Sequence, residues 1–321
     1  MRHLFTATIL LLLTACAPTE QDYTPVTRSP ELTPQVFDPG SRKPLPLRSW
    51  RPEGKPRAVI IALHGFNDYS QAFDIPGTIL RPQGIATFAY DQRGFGLSEP
   101  QGVWGGIPNF TEDLKQAVVA LRAEYPHTPL YILGESMGGA VASLALSQPD
   151  FPRVDGVILV APAVWGKDTM NVFWRGALWA LAHTIPGHEM TGSDLKILAT
   201  DNLALLRVMV HDPLVIKKTR VDAVYGIVAL MNEGAAAMED IKAPVLLLYG
   251  AKDQVIPPDP IRTAIGRLPD SARVAVYPDG YHMLLRDLGS DAPIGDIAGW
   301  IKNREKPLPS GYDKDARERL K

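Results

Sequence analysis

Short, near-continuous apolar runs alternate along this chain with longer stretches in which apolar residues recur every three or four positions. The runs occupy residues 58–63, 85–90, 130–133, 156–160, 245–249 and 274–277. They are dominated by Val, Ile, Leu and Tyr, without polar alternation, the pattern of parallel strands buried on both faces. Between them, residues 110–125 place Leu114, Val118, Leu121 and Tyr125 at helical spacing, with Thr111 where a cap belongs and Glu112 and Asp113 in the first turn. Strand and helix repeated in this order predict an α/β protein built on a doubly wound, mostly parallel sheet.

One segment breaks the alternation. Residues 164–240 carry no clear strand signal and read as a helical lid or cap insertion, with helices expected over 170–184, 194–211 and 221–238. The first is apolar nearly all round, through Val172, Phe173, Trp174, Leu178, Trp179 and Leu181. Such a helix is either packed on both sides or faces something greasy, and the pattern leaves both open. The core is accordingly expected over 47–163 and 241–305, with a polar C-terminal tail over 306–321.

The N-terminus has a different character. Residues 1–16 begin with Arg2 and His3, continue through an apolar stretch and end Leu13-Thr14-Ala15-Cys16. A basic start, a short apolar core and small residues before a break predict a secretory signal peptide. The stretch is well short of the roughly 20 residues that a membrane span needs. Its end resembles a bacterial lipobox, which implies cleavage before Cys16 and lipidation of its thiol. Cys16 is the single cysteine in 321 residues, so it has no disulfide partner within the chain. Each buried lipid methylene contributes about 0.8 kcal/mol, and two or three acyl chains anchor a protein firmly. The resemblance implies a membrane lipoprotein of the cell envelope, on the periplasmic side of the outer membrane in a Gram-negative host. Prolines at 18, 25, 30, 34, 39, 44 and 46 then predict a semi-rigid tether over 17–46. At about 3.1 Å per residue its reach is on the order of 90 Å.

A hydrophobic fraction of 45% supports a sizeable core, and a net charge of -2 leaves no basic excess for nucleic acid. No His, Cys or acidic cluster has metal-ligand spacing, and the glycine-rich stretches lack phosphate-binding patterns, so no cofactor is expected.

The chemistry is carried by Gly134-Glu135-Ser136-Met137-Gly138, which follows a strand and precedes a small-residue helix. A serine at such a turn is strained and projected off the sheet end, with the free amides of the helix pointing at the same spot. Its hydroxyl needs a base, and the base needs an acid to hold its tautomer. Asp253 is preferred to Asp259, Asp270 and Asp279 because it follows the strongest strand, and the order Ser, Asp, His fits the hydrolase scheme. His282 lies beyond the last strand and is the last histidine. His64, after the 58–63 strand, is read as a loop histidine bonding its own backbone. The amides of Phe66 and Met137 are the expected oxyanion donors.

His64-Gly65, Asp91-Gln92-Arg93-Gly94-Phe95-Gly96-Leu97-Ser98, Gly134-Glu135-Ser136-Met137-Gly138-Gly139, Gly250-Ala251-Lys252-Asp253 and Gly280-Tyr281-His282 together resemble one group of α/β-hydrolases. It is the group containing monoacylglycerol lipases and lysophospholipases, with the S33-type serine aminopeptidase domain. The resemblance covers about residues 47–303 and implies the α/β-hydrolase fold. It implies Ser136 as nucleophile, His282 as base, Asp253 as orienting acid, and Phe66 with Met137 as oxyanion hole. The 91–98 run is a family turn with a structural role. Many members have a histidine before the nucleophile; here it is Glu135, which bears on the polarity of the pocket. The expected activity is a serine carboxylic ester hydrolase cleaving monoacylglycerols or lysophospholipids. A short-chain carboxylesterase and an aminopeptidase of the same fold are alternatives, the latter needing a carboxylate for the substrate amine, with Glu135, Glu189, Asp194 and Glu233 as candidates. An envelope lipoprotein using the fold as a non-catalytic binding module is the alternative outside enzymes.

Overall fold

The computed structural model describes residues 17–41, 43–165, 171–192 and 197–320. The expected signal peptide and Cys16 lie outside the described residues. The strands are β1 (Glu31–Leu32), β2 (Val36–Asp38), β3 (Leu45–Trp50), β4 (Ala58–Leu63), β5 (Ile85–Tyr90), β6 (Leu130–Glu135), β7 (Gly156–Val160), β8 (Glu189–Thr191), β9 (Lys218–Arg220), β10 (Val245–Gly250) and β11 (Arg273–Tyr277). The α-helices are α1 (Asp74–Leu80), α2 (Ile107–Glu124), α3 (Met137–Leu146), α4 (Val172–Thr184), α5 (Leu203–His211), α6 (Val221–Ala237), α7 (Pro258–Arg267), α8 (Asp291–Lys302) and α9 (Ala316–Arg319).

All six predicted strands lie in one sheet of order β1-β2-β3-β5-β4-β6-β7-β10-β11. From β5 to β11 every pairing is parallel, while β1, β2 and β3 add an antiparallel edge. This is the α/β-hydrolase fold. Because side chains alternate along a strand, the continuous apolar runs feed two cores. Val59, Ile61 and Leu63 of β4 join Leu114, Val118 and Val141 beneath α2 and α3. Ile60 and Ala62 join Leu80, Ile294 and Ile297 beneath α1 and α8. Helix α2 starts earlier than the spacing predicts, at Ile107. Pro108 is tolerated in the first turn, where its missing N–H costs nothing, and the Thr111 hydroxyl bonds back to the Ile107 and Pro108 carbonyls instead of capping.

Three expectations are corrected. Residues 17–46 are not an extended tether. The Gln21 amide donates to Trp104 O at 2.8 Å, the Asn109 amide group donates to the carbonyls of Gln21 and Asp22, and β1 and β2 extend the sheet. Phe37 of β2 is fully buried against the Tyr90 ring, 5.2 Å between centroids. Proline density discourages ladders but does not prevent short edge strands between the prolines. The 306–321 tail is also packed: Leu308, Ala316 and Leu320 are buried, and Asp296 accepts from the Ser310 amide at 2.8 Å. The cap, expected to be all helical, contains the antiparallel pair β8–β9, whose three-residue strands are too short to show a periodicity.

Within the cap, the part of the helix expected at 194–211 that falls on 197–202 is not helical; helix α5 begins at Leu203, capped by the Asn202 side chain, which accepts from the Leu205 amide, and residues 194–196 lie outside the described residues. The chain before it is held elsewhere, with Ala199 O accepting from the Met283 amide at 2.8 Å. Helix α4 resolves the question its pattern left open. Only Ala182 is buried, and Phe173 is 82% exposed, Trp174 74% and Trp179 55%. Among the described residues no helix is long and apolar enough to cross a membrane.

Candidate active site

β6 ends at Glu135 and α3 begins at Met137, leaving Ser136 alone to turn the chain at φ 52° and ψ −115°. A non-glycine residue in that region costs about 1–3 kcal/mol and persists only where its surroundings over-determine it. The flanking glycines supply the room. A Cβ on Gly134 would sit 2.4 Å from Gly138 O, and one on Gly138 would sit 2.1 Å from Leu63 O. The Ser136 amide donates to Val160 O at 3.0 Å, and Ser136 O accepts from the Gly139 and Ala163 amides, each at 2.9 Å. The strained turn is thereby held from both sides.

Three predicted residues converge here. His282 Nδ1 donates to Asp253 Oδ2 at 2.8 Å, and Nε2 accepts from the Ser136 hydroxyl at 3.0 Å. A carboxylate can only accept, so this chain of contacts puts the imidazole proton on Nδ1 and the lone pair on the serine side. Asp253 is fixed in turn through its other oxygen, which accepts from the Val255 and Ile256 amides at 2.7 and 3.0 Å. All three side chains are buried. The competing aspartates are placed apart: Asp279 pairs with Lys252 at 2.7 Å and Asp259 with Arg262. The arrangement can deprotonate a serine hydroxyl and carry the proton on to a leaving group.

Gly65, which precedes Phe66, runs alongside the serine, since a Cβ on it would lie 3.3 Å from Ser136 Cβ. Met137 opens α3, where helix geometry leaves the first amides without an intrahelical acceptor. The adjoining loop is braced by His64, fully buried, whose Nε2 accepts from the Gln92 amide at 3.0 Å while Nδ1 donates to Gly65 O at 2.8 Å. Burial pushes its pKa down, which keeps the ring neutral. The 91–98 turn has the structural role expected of it. Asp91 accepts from the Ser70 and Leu97 amides, and Arg93 forms a forked pair with Asp113 at 2.7 and 2.8 Å.

Glu135 is buried, and one of its oxygens accepts from Arg286 at 3.1 Å; burial pushes its pKa above the usual carboxylate range, against the opposing pull of Arg286. The same guanidinium donates to Asp68 Oδ2 at 2.7 Å. Neither Asp68 nor Arg286 stands out in the sequence reading. The available signal was Glu135 itself, since a carboxylate beside a buried nucleophile requires a counter-charge. Of the other carboxylates considered for a substrate amine, Glu189 is exposed on β8, Asp194 lies outside the described residues, and Glu233 lines a cavity in the cap. That cavity, about 470 Å³, lies between α4 and α6 and is walled by Trp165, Val172, Leu178, Trp179, Tyr225 and Val228, with Arg175 and Glu233 as charged groups. Trp165 stands two residues beyond Ala163, whose amide holds the Ser136 carbonyl. Among the described residues no group of His, Cys, Asp and Glu could hold a metal ion.

Residues 54–289 match the family described as Hydrolase_4, Serine aminopeptidase, S33. The chain belongs to this family. The S33 member is similar to the monoglyceride lipase of Rattus norvegicus, 27% identical over 267 residues, covering 80% of this chain and 86% of that protein. It is similar also to a monoacylglycerol lipase of Mycolicibacterium smegmatis, 25% identical over 258 residues, covering 78% and 90%. In fold it resembles a soluble variant of monoglyceride lipase from Saccharomyces cerevisiae in complex with a substrate analog. There the TM-score is 0.68, at 21% identity over 88% of this chain and 96% of that one. The S33 enzyme is therefore a hydrolase on the α/β-hydrolase fold, as its motifs imply.

Proposed function

We propose that this hydrolase cleaves monoacylglycerols or lysophospholipids through an acyl-enzyme on Ser136. At the coarser level it is a carboxylic ester hydrolase, the class of the monoglyceride lipases among its relatives. The observation that carries the finer reading is the hydrogen-bonded sequence Ser136–His282–Asp253 at a strained strand-to-helix turn; the cap adds a separate cavity whose wall is largely aromatic and aliphatic. Ser136 Oγ attacks the ester carbonyl as His282 Nε2 takes its proton, and the Asp253 carboxylate holds the resulting imidazolium. The amides of Phe66 and Met137 receive the developing oxyanion, each worth about 3 kcal/mol of barrier. His282 returns the proton to the departing alcohol, and water then releases the fatty acid by the same steps in reverse order.

A long acyl chain requires an apolar wall and a route from lipid. In this reading the α4–α6 cavity is the apolar wall, and the exposed α4 face, with Phe173 and Trp174, suits contact with an acyl surface. We propose further that Cys16 is lipidated and holds the enzyme at the envelope membrane. Thr19, three residues on, donates to Asp222 at the start of α6, so that the anchored end would leave the protein beside the cap. Mass spectrometry of the mature N-terminus tests that assignment, and a C16S protein found still in the membrane fraction would refute it.

An aminopeptidase keeps one specific support, Glu233 in the cavity wall, because Glu135 is occupied by Arg286. The deciding experiment offers the full chain, with S136A as blank, a long-chain monoacylglycerol, a lysophospholipid, a short-chain aryl ester and an aminoacyl p-nitroanilide. Ser136-dependent release of fatty acid from either lipid is the expected result. Turnover of the anilide or the aryl ester alone would overturn the lipid assignment.

A further inference from the structure

We infer that Arg286 is a positioning residue for the reaction, locking the loop that carries the Phe66 amide and the turn that carries Ser136 into one register by binding Asp68 and Glu135 together. The inference rests on the proposed serine chemistry, but not on a lipid substrate. Arg286 lies four residues past His282 in the same loop, and its side chain is 6% exposed. Its Nη1 donates to Asp68 Oδ2 at 2.7 Å and its Nη2 to Glu135 Oε2 at 3.1 Å. These carboxylates belong to different segments, Asp68 to the loop after β4 and Glu135 to the end of β6. Asp68 stands two residues beyond Phe66, and its own amide donates to Gly65 O at 3.3 Å, so it is fastened across the Gly65–Phe66 peptide. Glu135 immediately precedes Ser136. One planar cation therefore touches the histidine loop, the oxyanion loop and the nucleophile turn.

The composition of the cluster argues against a purely stabilising purpose. Buried ion pairs rarely stabilise more than apolar residues of the same volume would. This one sets a single cation against two carboxylates, and among the described residues it leaves Glu135 Oε1 and Arg286 Nε buried without a hydrogen-bond partner. A fold seeking stability alone would fill the space with aliphatic side chains. What the guanidinium supplies is a fork with fixed angles, able to hold two acceptors on separate segments at once, and a lysine ammonium has no such geometry. Catalysis by oxyanion donors depends on that rigidity, since a donor contributes only when it is already in place as charge develops.

The test compares wild type, R286M and R286K on a short-chain aryl ester, with active enzyme counted by fluorophosphonate titration of Ser136 and folding followed by circular dichroism. R286M should lose about 10²–10³-fold in kcat, the loss typical of one oxyanion donor, with KM within about threefold of wild type. R286K should recover part of that loss, about tenfold below wild type, because it restores charge without the fork. A purely structural residue would lower the melting temperature and leave kcat per titrated site unchanged in both variants, and that result overturns the inference. Should R286M be recovered unfolded, R286K alone decides by the same criterion. Absence of Ser136-dependent turnover in wild type would instead overturn the serine chemistry, and this inference with it.

Discussion

Replacing Asp253 by Asn should do more damage than the loss of one charge suggests, and the local hydrogen bonds show why. Asp253 Oδ1 accepts from two backbone amides, those of Val255 and Ile256, while Oδ2 accepts from His282 Nδ1. An asparagine has one acceptor and one donor group. The two amides demand the carbonyl oxygen, which forces the NH2 group to face His282. Nδ1 must then accept, the ring proton moves to Nε2, and the nitrogen facing Ser136 at 3.0 Å becomes a donor unable to take the serine proton. The expected fall in kcat is about 10⁴-fold, equivalent to roughly 5.5 kcal/mol of barrier. KM should change little, because Asp253 does not face substrate. The assay is steady-state hydrolysis of an aryl ester, with circular dichroism to establish folding. Asp253→Ala imposes no tautomer and should be no more impaired than Asp253→Asn. A D253N enzyme within tenfold of wild type would refute the reasoning, because His282 would then be held by something other than Asp253.

Two further outcomes concern the N-terminal segment. Phe37→Ala removes a fully buried ring and should cost about 3–5 kcal/mol, lowering the melting temperature by at least roughly 4 °C. Val36→Ala, at its half-exposed neighbour, should stay within about 0.5 kcal/mol, and calorimetry showing equal effects would return the segment to the status of a tether. Arg28 grips both oxygens of Asp38 at 2.9 and 3.2 Å, and this hydrogen bonding holds the carboxyl below its ordinary pKa. A carboxyl depressed in the folded state stabilises above its unfolded value, and that contribution disappears as pH falls through the folded one. Hydrogen-exchange protection of residues 27–40, corrected for intrinsic rates, should therefore drop on acidification below about pH 4 in wild type, and be weaker and flat across that window in D38N.

The central sheet and the triad were legible in the sequence for the same reason: both are written locally. Six apolar runs announce six strands, and Ser136, Asp253 and His282 each follow a strand end, where an open α/β sheet gathers its ligands. What was illegible is non-local. Gln21 and Trp104 are 83 positions apart, and a lone Phe37 among prolines has no periodicity to betray that it completes a core. Arg286 reads as one more loop cation because its partners stand 218 and 151 positions away. Helix α4 shows the limit of composition itself, since a helix apolar on every side carries the same letters whether protein or solvent surrounds it.

The attachments of the cap decide how this protein could be diversified. Inserted between β7 and β10, the cap has the connectivity of a replaceable module. Its inner segments are nonetheless joined to the loops on either side of the serine. Asn67 donates to Thr219 and accepts from the Ile216 amide on the oxyanion side. On the histidine side, Ala199, Asp201 and Asn202 bond to Met283, Leu288 and Arg286. A chimera exchanging residues 165–240 for the cap of another hydrolase would strip both loops of their outer support, however well the foreign cap folded. Substitutions along α4 and α6 leave these braces in place, whereas wholesale recombination of the cap would be selected against through the loops it leaves unbraced.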